Sequence, residues 1–424
     1  SLADYIGAEV FISDRNNQNK SHKSILNKIS YEFGNHSEKC KNCDLIIISP
    51  GIDKRNDTIS NLVKDKNLIS EIEFASWFTQ SPIIGITGSN GKSTTVKLLE
   101  SIFKTKYKNT FLGGNIGIPF SKNVLLENKN NLKDSIHILE LSSFQLENIS
   151  ELKPKVACIL NLSQDHLDRH LTEKKYFKAK LNITKNLDES TYFIFNQNII
   201  SKIDLHKINT NKIIFGADDS RYLIDKKNNL IINNEYNKVV LDCNGIKLKG
   251  IHNYENILAC FEIASIFGIN DVIISNQISN FSPLAHRMEK INSQNKITFI
   301  NDSKSTNIES TIFAINSSKQ NTIIILGGYP KGRINYTKYL NPGMKNIQYM
   351  ICYGKEGGNI YAQLNKSFNC VYIEDFEEAI IKSIKLSKDN DRILLSPACS
   401  SFDQFKNFEE RGEKFKSIIK NYYK

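Results

Sequence analysis

At 424 residues the chain has room for about three domains of ~100–200 residues each. Its 40% hydrophobic and 24% charged residues are those of a globular protein. No apolar run approaches the ~18 residues of a membrane span and no signal peptide is present, so a cytoplasmic location is expected. The net charge of +11 comes from lysines interleaved with Asn and Ile, without a dense basic tract, which favours anionic, phosphate-bearing substrates over nucleic acid or a membrane surface.

The N-terminal stretch to Ile6 reads as the end of a helix and Ala8 to Ile12 as a strand ending at Asp14-Arg15. If the unit is Rossmann-like, a first strand and its glycine turn belong before Ser1. Asp14 then sits where an acid after the second strand meets a ribose or base, and it reads equally as an acidic turn residue. Eight cysteines are scattered without disulfide-framework spacing, and Cys40-Lys41-Asn42-Cys43 reads as a surface turn rather than zinc or redox chemistry. Asp44 to Gly51 is a second buried strand with a small-residue turn, and Ser70 to Phe78 is a linking helix.

Ile83-Ile84-Gly85-Ile86-Thr87-Gly88-Ser89-Asn90-Gly91-Lys92-Ser93-Thr94-Thr95 is the strongest signal. An apolar strand runs into a glycine loop and then a helix from Val96. Glycines let the backbone approach a phosphate, and the helix start offers free N–H groups and a favourable dipole. Lys92 can reach the outer phosphates and Ser93 can ligate Mg²⁺. The general pattern expects a glycine where Ile86 stands. Gly113 to Pro119 is a loop of close backbone approach. Glu140 ends the apolar strand that begins near His137. It is a candidate Mg²⁺ ligand, or a helix-N-terminal acid. Val156 to Leu160 is another buried strand ending at Asn161 to Asp168. Residues 190–249 read as a meander of short strands. Gly250 opens an amphipathic helix on which Asn253 and Asn256 share a face.

From Leu284, strands at 299–301, 322–326 and 392–395 alternate with polar or glycine turns, and a helix closes the chain from Asn407. Alternating strands and helices imply α/β domains with parallel sheets whose ligands bind beyond the strand C-termini. The expected boundaries are 1–70, 71–284 and 285–424.

These residues resemble the Mur ligase family along nearly the whole chain. Thr87 to Thr94 is similar to the family phosphate loop and accounts for Ile86. Glu140-Leu-Ser-Ser-Phe-Gln-Leu-Glu147, Asp165-His166-Leu-Asp168-Arg169 and His252-Asn253-Tyr-Glu-Asn256 resemble the metal, second-metal and adenine segments. His286-Arg287, Asn301 to Asn307 and Ser396 to Gly412 resemble C-terminal motifs, and the last is similar to the D-glutamate-adding branch. The resemblance implies three domains: a Rossmann-like N-terminal domain lacking its first strand, a central P-loop ATPase-like domain, and a C-terminal Rossmann-like domain.

It also implies a chemistry. ATP phosphorylates the carboxylate of UDP-N-acetylmuramoyl-L-alanine, and the amine of D-glutamate displaces phosphate. Gly88, Ser89, Asn90, Gly91, Lys92, Ser93, Thr94, Asn253, Asn256, Arg287 and Asp302 would hold ATP. Ser93 and Glu140 would hold one Mg²⁺, His166 a second, and Lys180, carbamylated by CO₂, would join it. Asp14, Arg15, Ser49, Gly51, Asn115 and Ser142 would bind the sugar nucleotide. Lys304, Thr306, Lys331, Ser401 and Phe408 would seat D-glutamate. Tyr329-Pro330 departs from the acid expected after Gly327-Gly328 and leaves the partner of Lys331 open. A monomeric bacterial enzyme is expected. A sibling ligase, a folylpolyglutamate synthase, or a nucleotide switch without ligase activity are the other readings. The 396–412 segment argues against the first two, and His166, Lys180 and the amino-acid site against the third.

Overall fold

Apolar residues on both faces of a strand require cover on both sides, and the Ile83–Thr87 strand is buried at every position. The computed structural model describes all residues except 17–28, 54, 56, 65, 292–295 and 424. The chain divides into two compact units, residues 1–162 with 174–281, and residues 163–173 with 282–424.

The first unit begins with two short parallel pairs. β1 (Phe11–Asp14) pairs with β2 (Ser30–Phe33), and β3 (Leu45–Ile48) with β4 (Asn67–Ser70). Its main sheet contains β5 (Ile83–Thr87), β6 (Asn109–Gly114), β7 (Ser135–Glu140), β8 (Val156–Ile159), β9 (Tyr192–Asn196) and β10 (Asn211–Phe215). The order is β10-β9-β8-β5-β7-β6, all parallel. Alternate residues feed separate cores. Ile84, Ile86, Ile136, Ile138 and Ile194 meet helices Lys92–Phe103 and Ile251–Ile266 on one side. Ile83, Leu139, Ala157, Phe193 and Phe195 join Phe120, Val124 and Phe74 on the other.

The expected meander over 190–249 needs correction. Its first two strands, β9 and β10, extend the parallel sheet, because Phe193, Ile194 and Phe195 are buried on both faces. Only β11 (Tyr222–Asp225), β12 (Leu230–Asn233) and β13 (Lys238–Asp242) form an antiparallel meander.

The second unit is built on β14 (Glu289–Ile291), β15 (Thr298–Asn301), β16 (Thr322–Gly327), β17 (Ile347–Tyr353), β18 (Cys370–Ile373) and β19 (Arg392–Ala398). The order is β14-β15-β19-β16-β17-β18, with β14 alone antiparallel. Again the side chains alternate, Ile324 and Leu326 to one core, Ile323 and Ile325 to the other. The closing helix is Phe408–Tyr422, whose Asn407 cap accepts from the Glu410 N–H. Among the described residues no helix is long and apolar enough to cross a membrane.

The linking helix Glu71–Ser76 is fixed by one carboxylate. Glu73 is fully buried and accepts from the N–H groups of Ser150, Glu151 and Leu152 and from the Trp77 indole. Glu73→Ala removes the shared acceptor of all four donors. It is expected to cost about 3 kcal/mol of unfolding free energy by urea denaturation, since hydrogen bonds to charged groups are worth ~1.5–3 kcal/mol; a loss under about 1 kcal/mol would contradict this assignment.

Candidate active site

The C-terminal edge of the first unit's parallel sheet gathers one set of candidates. β7 and β8 flank β5 on opposite sides, so the loop leaving β5 opens into the crevice between them. Gly91 caps the following helix with φ 87°, and an added Cβ would strike the Asn256 side chain, so glycine is needed there twice over. Lys92 is the first helical residue. Its Nζ folds back to donate to the carbonyls of Gly88 (2.7 Å) and Ser89 (2.8 Å). Ser93 and Thr94 are buried in the first turn.

Asn161, just beyond β8, clamps this loop. Its Oδ1 accepts from Asn90 N at 2.8 Å, its Nδ2 donates to Asn90 O at 3.0 Å, and its own carbonyl accepts from Ser89 N at 3.1 Å. Sequence reasoning passed over it; an amide immediately after a buried strand and opposite a phosphate loop was the available signal. Ser89 Oγ also lies 3.2 Å from the Tyr176 hydroxyl.

Glu140, at the end of β7, is 3% exposed. Its Oε1 accepts from Asn115 Nδ2 at 3.0 Å, whereas Oε2 is buried and without a hydrogen-bonding partner, as is Thr94 Oγ1. A buried carboxyl oxygen without a donor, close in the fold to a phosphate loop, suits a hard cation such as Mg²⁺. Asn115 is thus held by Glu140 at both side chain and backbone. Ser142 caps the short helix Ser143–Leu146 in a capping box with Gln145.

Lys180, on helix Glu173–Leu181, is 1% exposed. Its Nζ donates to Gly88 O at 2.8 Å and sits 4.7 Å from the Tyr176 ring centre. The lysine therefore lies directly beneath the phosphate loop. On helix Ile251–Ile266, Asn256 packs against Gly91, while Asn253 donates to Lys249 O and leaves its Oδ1 buried without a donor. Asp14 caps its own turn by accepting from Asn16 N, Arg15 and Ser49 are exposed, and Gly51 has open space around it.

The second unit assembles the other set. Lys331 Nζ lies 2.9 Å from Thr306 Oγ1 and 3.5 Å from Asp165 Oδ1, and Asn307 Nδ2 donates to Asp165 Oδ2 at 3.4 Å. Asp165 thereby answers the question left by Tyr329-Pro330: the acid facing Lys331 comes from the segment before His166. His166 adopts φ 52°, its N–H donating to Asp165 Oδ1, and its ring is part-exposed. Lys304 Nζ stands 4.6 Å over the Phe408 ring, joining two expected substrate residues. Ser401 is 2% exposed.

Asp302 is engaged internally. Its carboxylate accepts from Ser305, Ser396 and the Met288 N–H, and burial pushes the group up to about 6. Arg287 lies close enough to oppose that rise. Arg411, not among the expected residues, is fully buried and joins Ser303, Tyr353, Cys399 and Ser400 through its guanidinium. Gly412 next to it admits the His286 ring, which a side chain would strike. The Arg-Gly of the closing helix therefore holds the loops that carry Lys304 and Ser401.

Compared with known proteins, residues 86–264 match the Mur ligase middle domain, 286–399 the Mur ligase glutamate ligase domain, and 2–58 the MurD N-terminal domain. A UDP-N-acetylmuramoylalanine–D-glutamate ligase of Christiangramia forsetii is 34% identical over 99% of this chain and 96% of its own. One from Clostridioides difficile is 35% identical over 99% and 94%. The crystal structure of MurF from Acinetobacter baumannii has the same fold, with a TM-score of 0.65 at 15% identity over 89% of this chain and 90% of that one.

Asn161→Ala frees the Asn90 backbone from both clamping bonds. Nucleotide affinity measured by calorimetry is expected to fall about tenfold, the scale of one to two lost hydrogen bonds at ~1 kcal/mol each; unchanged affinity would remove Asn161 from the site.

Proposed function

The chain belongs to the Mur ligase family, and from that membership we propose that it joins D-glutamate to the alanyl carboxylate of UDP-N-acetylmuramoyl-L-alanine at the expense of ATP. It is an ATP-dependent, amide-bond-forming ligase of peptidoglycan synthesis. What carries the reading is that relatives bearing this activity in their names match nearly the whole chain, including the first 58 residues where a sugar nucleotide would be read. We place the reaction in the bacterial cytoplasm, where ATP and nucleotide-linked precursors are made.

The chemical difficulty is electrostatic. A carboxylate must approach the γ-phosphate of ATP, so like charges have to be neutralised and aligned. In our reading the amides of residues 88–93 cradle the phosphates. Lys92 exchanges the Gly88 and Ser89 carbonyls, its present acceptors, for phosphate oxygens. The buried Oε2 of Glu140 and the Ser93 hydroxyl are the ligands that would hold Mg²⁺, which supplies charge neutralisation when bound. Asn256 against Gly91 and the unsatisfied Asn253 Oδ1 suit the nucleoside, the latter as acceptor for the adenine amine.

Lys180 is the residue we assign to carbamylation. Once the ammonium has lost a proton its amine can add CO₂, and with a second proton released to solvent the product is a carbamate anion that can ligate a metal, its remaining N–H keeping the bond to Gly88 O. His166 offers an imidazole as a metal ligand in the second unit. The muramoyl substrate is assigned to Asp14, Arg15, Ser49, Gly51, Asn115 and Ser142. Lys331, Thr306, Lys304, Ser401 and Phe408 offer an ammonium pair, hydroxyls and an aromatic face, which fit a dicarboxylic amino acid. The amine attacks the acyl phosphate, a tetrahedral intermediate forms, and phosphate leaves.

Phosphate release should require both UDP-N-acetylmuramoyl-L-alanine and D-glutamate; release with neither would indicate a nucleotide switch instead. Lys92→Ala should lower kcat by about 10³-fold or more, the scale on which charge-stabilising cations act in phosphoryl transfer; near-normal kcat would refute its role. Ser401→Ala should raise KM for D-glutamate more than KM for ATP, and equal changes would dissociate Ser401 from the amino-acid site.

A further inference from the structure

The isolated-looking cysteine pair near the N-terminus acquires partners once the chain is folded. Glu32 lies on β2 opposite Ser13 of β1. The chain then turns so that His36 and Cys40 come back to it, and one ligand atom from each of Glu32, His36 and Cys40 lies within 4.8 Å of the others. Cys40 Sγ donates to Glu32 Oε1 at 3.4 Å, and Cys43 Sγ donates to the Cys40 backbone carbonyl at 3.0 Å, so the second thiol stands against the main chain of the first cysteine, outside the three-residue cluster.

We propose that Glu32, His36 and Cys40, with Cys43 at the fourth position, form a binding site for a divalent transition-metal ion of the Zn²⁺ type. The donor set decides the class. Two thiols and an imidazole exclude Mg²⁺ and Ca²⁺, which take oxygen ligands, and one carboxylate beside them completes a tetrahedral set. Zinc bonds of ~2.0–2.3 Å put neighbouring tetrahedral ligands about 3.3–3.8 Å apart. Closing from 4.8 Å therefore asks for about an ångström of side-chain movement at half-buried positions.

The surroundings fit a ligand cluster. Ser13 Oγ is 2.7 Å from both Glu32 Oε1 and His36 Nδ1, so one hydroxyl orients the carboxylate and the ring together. The Ser37 N–H and hydroxyl also donate to Glu32. Although partial burial opposes it, these donors hold the Glu32 carboxyl down to about 2, so it remains an anion. Burial and the adjacent Glu32 charge push the Cys40 thiol up, a cost that a cation would reverse as the thiol gives its proton to solvent. The ion would tie the end of β2 to the segment that leads into β3, in a region of two-stranded pairs with little core of its own. The proposal stands apart from the ligase reading.

Cobalt(II) titrated into the full chain under a non-thiol reductant, with excess Mg²⁺ to fill oxygen-ligand sites, reports thiolate ligation by its near-ultraviolet charge-transfer absorption. One Co²⁺ per chain is expected, displaced by Zn²⁺, with affinity falling at least tenfold in Cys40→Ser and in His36→Ala. Cys40→Ser is isosteric and carries the test alone if His36→Ala does not fold. Absence of a charge-transfer band in the unsubstituted protein, or an equal band in the folded variants, overturns the site.

Discussion

Much of the first unit's active edge follows from one constraint: negative charge has to be received where backbone carbonyls otherwise satisfy the local cations. Lys92 and Lys180 both donate to the Gly88 carbonyl, one from the helix start and one from beneath. An ammonium so placed is held, desolvated and aimed. Exchange of a neutral carbonyl for an anionic phosphate oxygen would add direct Coulomb attraction to a bond that already has one charged partner. The loop backbone is thus held by two lysines, of which Lys92 is the one proposed to pass to phosphate and Lys180 the one proposed for carbamylation.

The same logic runs outward through side chains that never need to touch substrate. Asn161 holds the loop backbone from β8, and Glu140 holds Asn115 while presenting its second oxygen. In the second unit Arg411 ties three loop segments to the closing helix, and Asp165 holds Lys331 and Asn307. Glu140 and Arg411 are buried and Asn161 and Asp165 part-buried, and apart from the second Glu140 oxygen each is bonded to loop backbone or to a candidate site side chain. In the proposed mechanism these groups position the ones that bind.

Local pattern made much of this readable in advance. The β5 strand, its loop and the following helix were legible because glycine, lysine and hydroxyls at fixed offsets have few other uses. The grouping of Lys331 with Thr306 and of Lys304 with Phe408 came through resemblance and is matched by proximity. Asn161, Asp165 and Arg411 escaped because their roles exist only after distant segments meet, and in an Asn-rich chain an amide just after a buried strand is only a weak signal. Residues 190–215 were misplaced for a related reason: short β-rich runs read alike whether they pair with neighbours or with β8. The Cys40–Cys43 spacing reads as a surface turn, and the proximity of Glu32 and His36 to Cys40 exists only in the fold.

The most direct test of the phosphate cradle is a crystal structure with a non-hydrolysable ATP analogue and Mg²⁺. The β- and γ-phosphates should lie in the 88–93 loop, with Lys92 Nζ transferred from the Gly88 and Ser89 carbonyls to phosphate oxygen and the metal against Glu140 Oε2. Triphosphate bound elsewhere, or Lys92 still donating to both carbonyls beside a bound nucleotide, would contradict the account.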